Sequence, residues 1–228
     1  MKCRGSIIDE SMKICSHCLY MIEKPRYVWV NFVTKSVYVI VPKSGSTFIS
    51  NNLEKQGYQL FRWSEFCNQI NFKETALNEY FIWTFIRHPI QRFVSSFIEI
   101  KKKYRDICLW KDWTPEDFTL QHYIEYINQN PNFEPHSASQ SYFLEHLPLH
   151  FMGSLDTFEK DIDLIKKKVN IHIDKSEEKN ASSSHTINIS PDIKSKIKNY
   201  YQDDMVLWKT RKKEVLIKNE PGSSTNVS

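Results

Sequence analysis

Apolar positions along the chain keep switching between a strand pattern and a helix pattern. Tyr-Val-Trp-Val-Asn-Phe-Val at 27–33 and Val-Tyr-Val-Ile-Val at 37–41 are β-branched and aromatic runs separated by Thr34-Lys35-Ser36, which predicts two adjacent strands. The second run is apolar throughout, as expected of a strand covered on both faces. Ser46 or Thr47 is placed to cap the helix that follows, with Phe48, Ile49 and Leu53 on its inner side. Residues 56–78 are mixed and are expected to hold a short helix and loops.

A third buried strand is predicted at 80–86, running into Arg87-His88-Pro89, with a helix beginning at or just after the proline. Phe93, Phe97 and Ile100 give that helix an apolar stripe, and Lys101, Lys102 and Lys103 complement its C-terminal dipole. The pattern repeats at 115–130, with Phe118, Tyr123, Ile124 and Ile127 inside. A loop at 131–137 precedes a short helix carrying Tyr142, Phe143 and Leu144, then a strand at 149–153. Asp156 or Thr157 opens a helix over 158–169, and residues 180–184 form a polar loop. Ser190-Pro191-Asp192 starts a last helix, with Ile193, Ile197, Tyr201, Met205 and Trp208 facing the core. Strands alternating with helices predict an α/β fold: a single domain over 27–218 with a mainly parallel central sheet flanked by helices. Its ligands belong at the carboxyl ends of the strands. Residues 1–26 read as an N-terminal extension and 219–228 as a disordered tail.

Composition narrows the class. Of 228 residues, 40% are hydrophobic and 14% aromatic, a globular balance. The net charge of +4 is too mild to argue for nucleic acid, although it would not repel an anionic ligand. Five cysteines at irregular spacing make a poor disulfide framework and suit a reducing, cytoplasmic setting. Cys15-Ser-His-Cys18 has the spacing of half a zinc site, but no second ligand pair follows at a convincing distance. The first residues lack the apolar core of a signal peptide, and no run approaches the ~20 residues of a membrane span.

With only five glycines in the chain, the one in Val-Pro-Lys-Ser-Gly-Ser-Thr-Phe (41–48) is informative. A strand that ends in a glycine-bearing turn and enters a helix offers backbone N–H groups and a positive dipole end to a phosphate. Lys43 adds a movable charge, and Ser44, Ser46 and Thr47 add hydroxyl donors. The nucleotide-binding P-loop is the obvious comparison, but it requires lysine directly after its second glycine. Here the lysine precedes the turn's one glycine, which counts against a kinase or NTPase. Pro-Lys-Ser-Gly-Ser-Thr-Phe instead resembles the 5′-phosphosulfate loop of sulfotransferases that use 3′-phosphoadenosine 5′-phosphosulfate (PAPS).

Phe-Ile-Trp-Thr-Phe-Ile-Arg-His-Pro-Ile-Gln-Arg-Phe-Val-Ser-Ser-Phe (81–97) resembles the 3′-phosphate segment of the same enzymes, in which an arginine ends a strand and a serine follows eight residues later. Arg87 and Ser95 match that spacing. A guanidinium makes two parallel hydrogen bonds to a phosphate, and a serine on the next helix adds another. Either residue alone suits an ordinary structural role; both motifs together, in the family's order, are hard to obtain by chance. The resemblance is closest to the carbohydrate, or family 2, branch and extends more loosely to His136-x-x-x-Gln140, to Phe151-Met152-Gly153 with Asp156 and Asp161, and to Tyr200-Tyr201-Gln202-Asp203-Asp204-Met205-Val206-Leu207-Trp208, which is similar to the family's closing Tyr-x-x-Asp-x-x-x-Phe helix. Asp156 stands where that branch carries glutamate.

The resemblance implies a P-loop-like nucleotide-binding fold and transfer of a sulfuryl group from PAPS to a hydroxyl, or less readily an amine, of a carbohydrate or small molecule. Adenosine 3′,5′-bisphosphate is released and no metal is needed. It implies Lys43 as the group that neutralises the leaving oxygen, Ser44, Gly45, Ser46, Thr47 and Phe48 around the 5′-phosphate, and Arg87 with Ser95 at the 3′-phosphate. His136 is the preferred general base, since neutral imidazole accepts a proton near pH 7. Glu65, Glu74 and Glu79 are the carboxylates that could replace it, His88 reads as a supporting residue, and Trp63, Trp110 and Trp113 are candidates to line an acceptor pocket. The runs Lys101–Lys103 and Lys166–Lys168 could draw an acidic glycan. Two rival readings remain: a kinase or NTPase with an aberrant loop, and an inactive relative that only binds nucleotide.

Overall fold

The computed structural model describes residues 8–9, 14–15, 26–71, 74–103, 117–132, 134–174 and 187–218; for 8, 9, 14, 15, 74, 75, 103 and 212–218 it describes the backbone alone. Outside these lie most of the N-terminal extension, Cys18 of the cysteine pair, Trp110, Trp113, the loop at 180–184 and the tail from 219.

Two-residue strands Ile8–Asp9 (β1) and Ile14–Cys15 (β2) pair antiparallel with each other. The predicted pair at 27–41 folds as Tyr27–Asn31 (β3) and Ser36–Val39 (β4). Four residues separate them, too few for a crossover, so the pair is antiparallel, with Val28 opposite Val39 and Val30 opposite Val37. Asn31 closes the turn, its Oδ1 accepting from the N–H of Val33 (3.0 Å) and of Thr34 (2.9 Å).

The third predicted strand is Phe81–Ile86, and it lies parallel to β4, with Tyr38 opposite Trp83. A strand that the sequence reading assigned to helix and loop, Gln59–Arg62, pairs antiparallel with β3. The last strand is Phe151–Ser154, starting two residues later and ending one later than predicted. Numbering these β5 (Gln59–Arg62), β6 (Phe81–Ile86) and β7 (Phe151–Ser154), the sheet order is β5-β3-β4-β6-β7. The sheet is therefore mixed, not mainly parallel. The hairpin turn forces one antiparallel pair and the edge strand adds another. Gln59–Arg62 escapes a sequence pattern because its face is mostly exposed, so backbone pairing with β3 decides its state.

The helices are Ser46–Glu54 (α1), Trp63–Gln69 (α2), Glu74–Leu77 (α3), Pro89–Lys103 (α4), Leu120–Gln129 (α5), Gln140–Leu144 (α6), Phe158–Val169 (α7), Pro191–Tyr200 (α8) and Gln202–Lys218 (α9). Helix α8 starts where predicted, Ser190 Oγ accepting from the N–H of Ile193 at 3.3 Å. The single predicted C-terminal helix is two, because Tyr201 leaves helical geometry at φ −100°, ψ 34°. A 3-10 turn, Leu155–Thr157, comes before α7.

The chain packs as two compact units, Met1–Phe85 with Phe143–Ala181, and Ile86–Tyr142 with Ser182–Ser228. In the first, Trp29, Tyr38, Trp83 and Phe85 of the sheet meet Ile49 and Leu53 of α1 and Ile162, Ile165 and Val169 of α7. In the second, Phe93, Phe97 and Ile100 of α4 meet Phe118, Tyr123, Ile124 and Ile127 and, from the C-terminal segment, Ile197 and Tyr201. Strands β3, β4 and β6 are buried along nearly their whole length, which explains their continuous apolar runs.

Gly153 lets β7 approach Phe85: a Cβ there would stand 2.5 Å from the ring edge. Gly153→Ala is expected to destabilise the protein by about 1–3 kcal/mol through overpacking, read as a lower urea midpoint with unchanged slope.

Candidate functional site

The turn after β4 is shaped by two residues in left-handed backbone, Lys43 (φ 66°) and Gly45 (φ 78°). For a lysine this region is costly, about 1 kcal/mol or more, and strain of this kind concentrates at functional positions. Ser44, between them, is fully buried and its hydroxyl donates to Val41 O at 2.6 Å. Its role is thus to brace the turn from inside.

Helix α1 then starts with Gly45 as N-cap, with no side-chain cap hydrogen bond and no acidic residue in its first turn. Neither Ser46 nor Thr47 is the cap that the sequence suggested. Its first intrahelical bond is Ile49 N–H to Gly45 O, 3.2 Å. The N–H groups of Ser46, Thr47 and Phe48 belong to the first turn, which has no acceptor within the helix. Ser46 and Phe48 are half-buried and Thr47 is exposed; the Phe48 ring meets Phe158 edge-on, centroids 5.9 Å apart. A cation on a strained turn followed by an uncapped helix start has the charge and the N–H donors to attract an anion.

Strands β4 and β6 run side by side in one direction, so their carboxyl ends lie at the same edge of the sheet, and Thr84 Oγ1 donates across to Val39 O at 2.8 Å. Arg87 is the residue directly after β6. In the second unit its backbone is held on both sides by one side chain: Gln140 Oε1 accepts from Arg87 N–H (2.8 Å) and Gln140 Nε2 donates to Arg87 O (2.9 Å). Gln140 is the first residue of α6, and the Asp204 carboxylate accepts from the N–H of both Gln140 and Ser141, each at 2.8 Å. Gln140 and Asp204 are fully buried. On α4, Ser95 is buried at 7% exposure, while the Ser96 hydroxyl is committed to Tyr123 Oη at 2.5 Å. His88 packs edge-on against Trp208, centroids 5.5 Å apart.

His136 sits in a turn organised by Glu134. The Glu134 Oε2 accepts from the N–H of His136 (2.7 Å) and of Ser137 (3.1 Å), and Oε1 lies 2.6 Å from His136 Nδ1. The Glu134 carboxylate thus engages one face of the loop and one nitrogen of the ring, Nδ1, which leaves Nε2 as the ring nitrogen on the other side. Tyr201 anchors the same turn, donating to Ser137 O at 2.6 Å; burial pushes its hydroxyl well above the usual tyrosine range, so it stays a donor. Arg92 is buried beside it, Nη2 donating to Pro135 O at 3.5 Å.

Lys43, Ser44, Gly45, Ser46, Thr47 and Phe48 belong to the first unit, and Arg87, Ser95 and His136 to the second. Two of the alternative carboxylates have other partners: Glu65 accepts from Arg62 N–H (2.8 Å) at the start of α2, and Glu79 pairs with Lys35 (3.4 Å) just before the amino end of β6. The side chain of Glu74 lies outside the described residues. Trp63 is fully buried in the core. Lys101 donates to Phe118 O (3.2 Å) and Lys166 pairs with Asp163 (3.4 Å), so neither run is wholly spare. Asp161 accepts from Ser154 N–H (2.8 Å) and Thr157 Oγ1 (2.7 Å), tying β7 to α7. Sequence reasoning missed Glu134 and Arg92; Glu-Pro-His carries no spacing that distinguishes a paired imidazole from an ordinary loop. Among the described residues no cluster of metal-ligating side chains is found, and no helix is long and apolar enough to cross a membrane.

A family model described as the sulfotransferase family matches residues 26–209. The chain belongs to that family, in its family 2 branch, and the class of enzyme is thereby a sulfotransferase. Neither a curated protein nor a solved structure gives a match.

Gly45→Ala combines a disfavoured φ with a Cβ 2.8 Å from Leu155 Cδ2. The expected cost is about 1–2 kcal/mol, measured by chemical denaturation.

Proposed function

We propose that the chain transfers a sulfuryl group from PAPS to a hydroxyl of a carbohydrate or small molecule, releasing adenosine 3′,5′-bisphosphate. The observation that carries this reading is the 41–45 turn, a lysine and a glycine in left-handed backbone ahead of an uncapped helix, in a chain of the sulfotransferase family. The helix start and the hydroxyls of Ser46 and Thr47 take the 5′-phosphate, with Ser44 and Gly45 shaping the turn and Phe48 fixing the helix above it. Arg87 and Ser95 take the 3′-phosphate, the group that separates this donor from ATP.

In the transfer, the bond between sulfur and the 5′-phosphate oxygen breaks as the acceptor oxygen bonds to sulfur. Negative charge gathers on the departing phosphate oxygen, and the Lys43 ammonium offsets it. The acceptor's proton passes to His136 Nε2, and Glu134 steadies the imidazolium that results. None of these steps asks for a metal ion.

Lys43→Ala is expected to lower kcat about 100-fold or more while the fold and nucleotide affinity persist; near-normal turnover with labelled PAPS would sink the assignment. Arg87→Ala is expected to weaken adenosine 3′,5′-bisphosphate binding by about 2 kcal/mol, seen by calorimetry without metal. Tighter binding of ATP with magnesium than of the bisphosphate by the unaltered chain would favour a kinase instead. His136→Ala is expected to cut turnover about 100-fold and Glu134→Gln about tenfold, both with donor affinity kept; an unaltered rate in His136→Ala removes it as base.

A further inference from the structure

We infer that Gln140, held in place by Asp204, is the positioning residue for Arg87, and that this pair sets the enzyme's preference for a nucleotide with a 3′-phosphate. The inference rests on the reading of Arg87 given above. Arg87 stands where a strand has just ended, at a point where main-chain N–H and C=O groups leave the ladder and need new partners. The Gln140 amide supplies both, accepting at 2.8 Å and donating at 2.9 Å, so that one side chain acts as one residue of a neighbouring strand.

An amide can do this only if it is itself immobile. Gln140 is fully buried, and its own backbone N–H is bound by Asp204, whose second carboxylate oxygen takes the N–H of Ser141. These two charge-assisted bonds, at 2.8 Å each, satisfy the start of α6 and compensate a carboxylate that is 0% exposed. Tyr201, three residues before Asp204, ties the preceding loop through Ser137 O. The first turn of α9 is thereby connected through α6 to the main chain of Arg87.

The connection bears on function because an arginine recognises phosphate by a planar, two-bond geometry that tolerates little misplacement. Its long side chain cannot correct a backbone that wanders without losing entropy on every binding event. Bracing alone would affect any nucleotide equally. A positioning role for Arg87 affects only the part of the affinity that the 3′-phosphate contributes.

The test uses the full chain and two ligands, adenosine 3′,5′-bisphosphate and adenosine 5′-monophosphate, titrated without metal. Gln140→Met keeps length and burial but removes both hydrogen bonds. It is expected to lose about tenfold in affinity for the bisphosphate and to hold the monophosphate within about twofold. Asp204→Asn, which keeps one acceptor, is expected to move the same ratio by about threefold and serves where Gln140→Met fails to fold. Equal weakening of both ligands, or no change in their ratio, overturns the inference while leaving Arg87 in its role. A wild-type protein that does not distinguish the two ligands overturns the Arg87 reading, and the inference with it.

Discussion

The parallel pairing of β4 with β6 is the constraint on which the first unit's architecture depends. Two strands that run the same way deliver their carboxyl ends to one edge, and the chain leaves each of them into a polar turn. The pairing is buried, and Thr84, the one polar side chain in β6, spends its hydroxyl on Val39 O at the point where β4 ends. A hydroxyl there costs nothing because it is satisfied, and it locks the two exits in register. Trp83 adds a second cross-link, donating from Nε1 to Ser36 Oγ at 3.0 Å.

The turn after β4 follows a different logic. Its backbone is held in an unfavourable region at Lys43, and the surroundings enforce this: Ser44 is bound from within and Leu155 covers Gly45. Held in this way, the lysine and the helix start keep one fixed arrangement. Natural capping by Ser46 or Thr47 would have occupied the same N–H groups.

The second unit buries polar groups, among them Arg92, Ser96, Glu134, Ser137, Gln140 and Asp204. Buried carboxylates are tolerable only when fully hydrogen-bonded, and both here bind backbone N–H groups at the starts of turns or helices. The loosely matching segments His136-x-x-x-Gln140 and Tyr201-x-x-Asp204 turn out to be two halves of this one network, which accounts for their spacing better than either does alone.

What the sequence by itself determined is local. The buried strands announce themselves by continuous β-branched and aromatic runs, Pro89, Ser190 and the stripe of Phe93, Phe97 and Ile100 mark helices, and the residues around Lys43 and Arg87 carry the family's wording. The tertiary structure decided everything that depends on partners distant in the chain. Gln59–Arg62 became a strand only because β3 offered an edge, the hairpin made the sheet mixed, and a C-terminal helix with neither glycine nor proline at its middle broke at Tyr201. Glu134 acquired meaning from the imidazole folded back onto it, and Gln140 from an arginine 53 residues earlier and an aspartate 64 residues later. Hydrogen bonds across such separations leave no periodicity behind, since their geometry is set by packing and not by the spacing of residues along the chain.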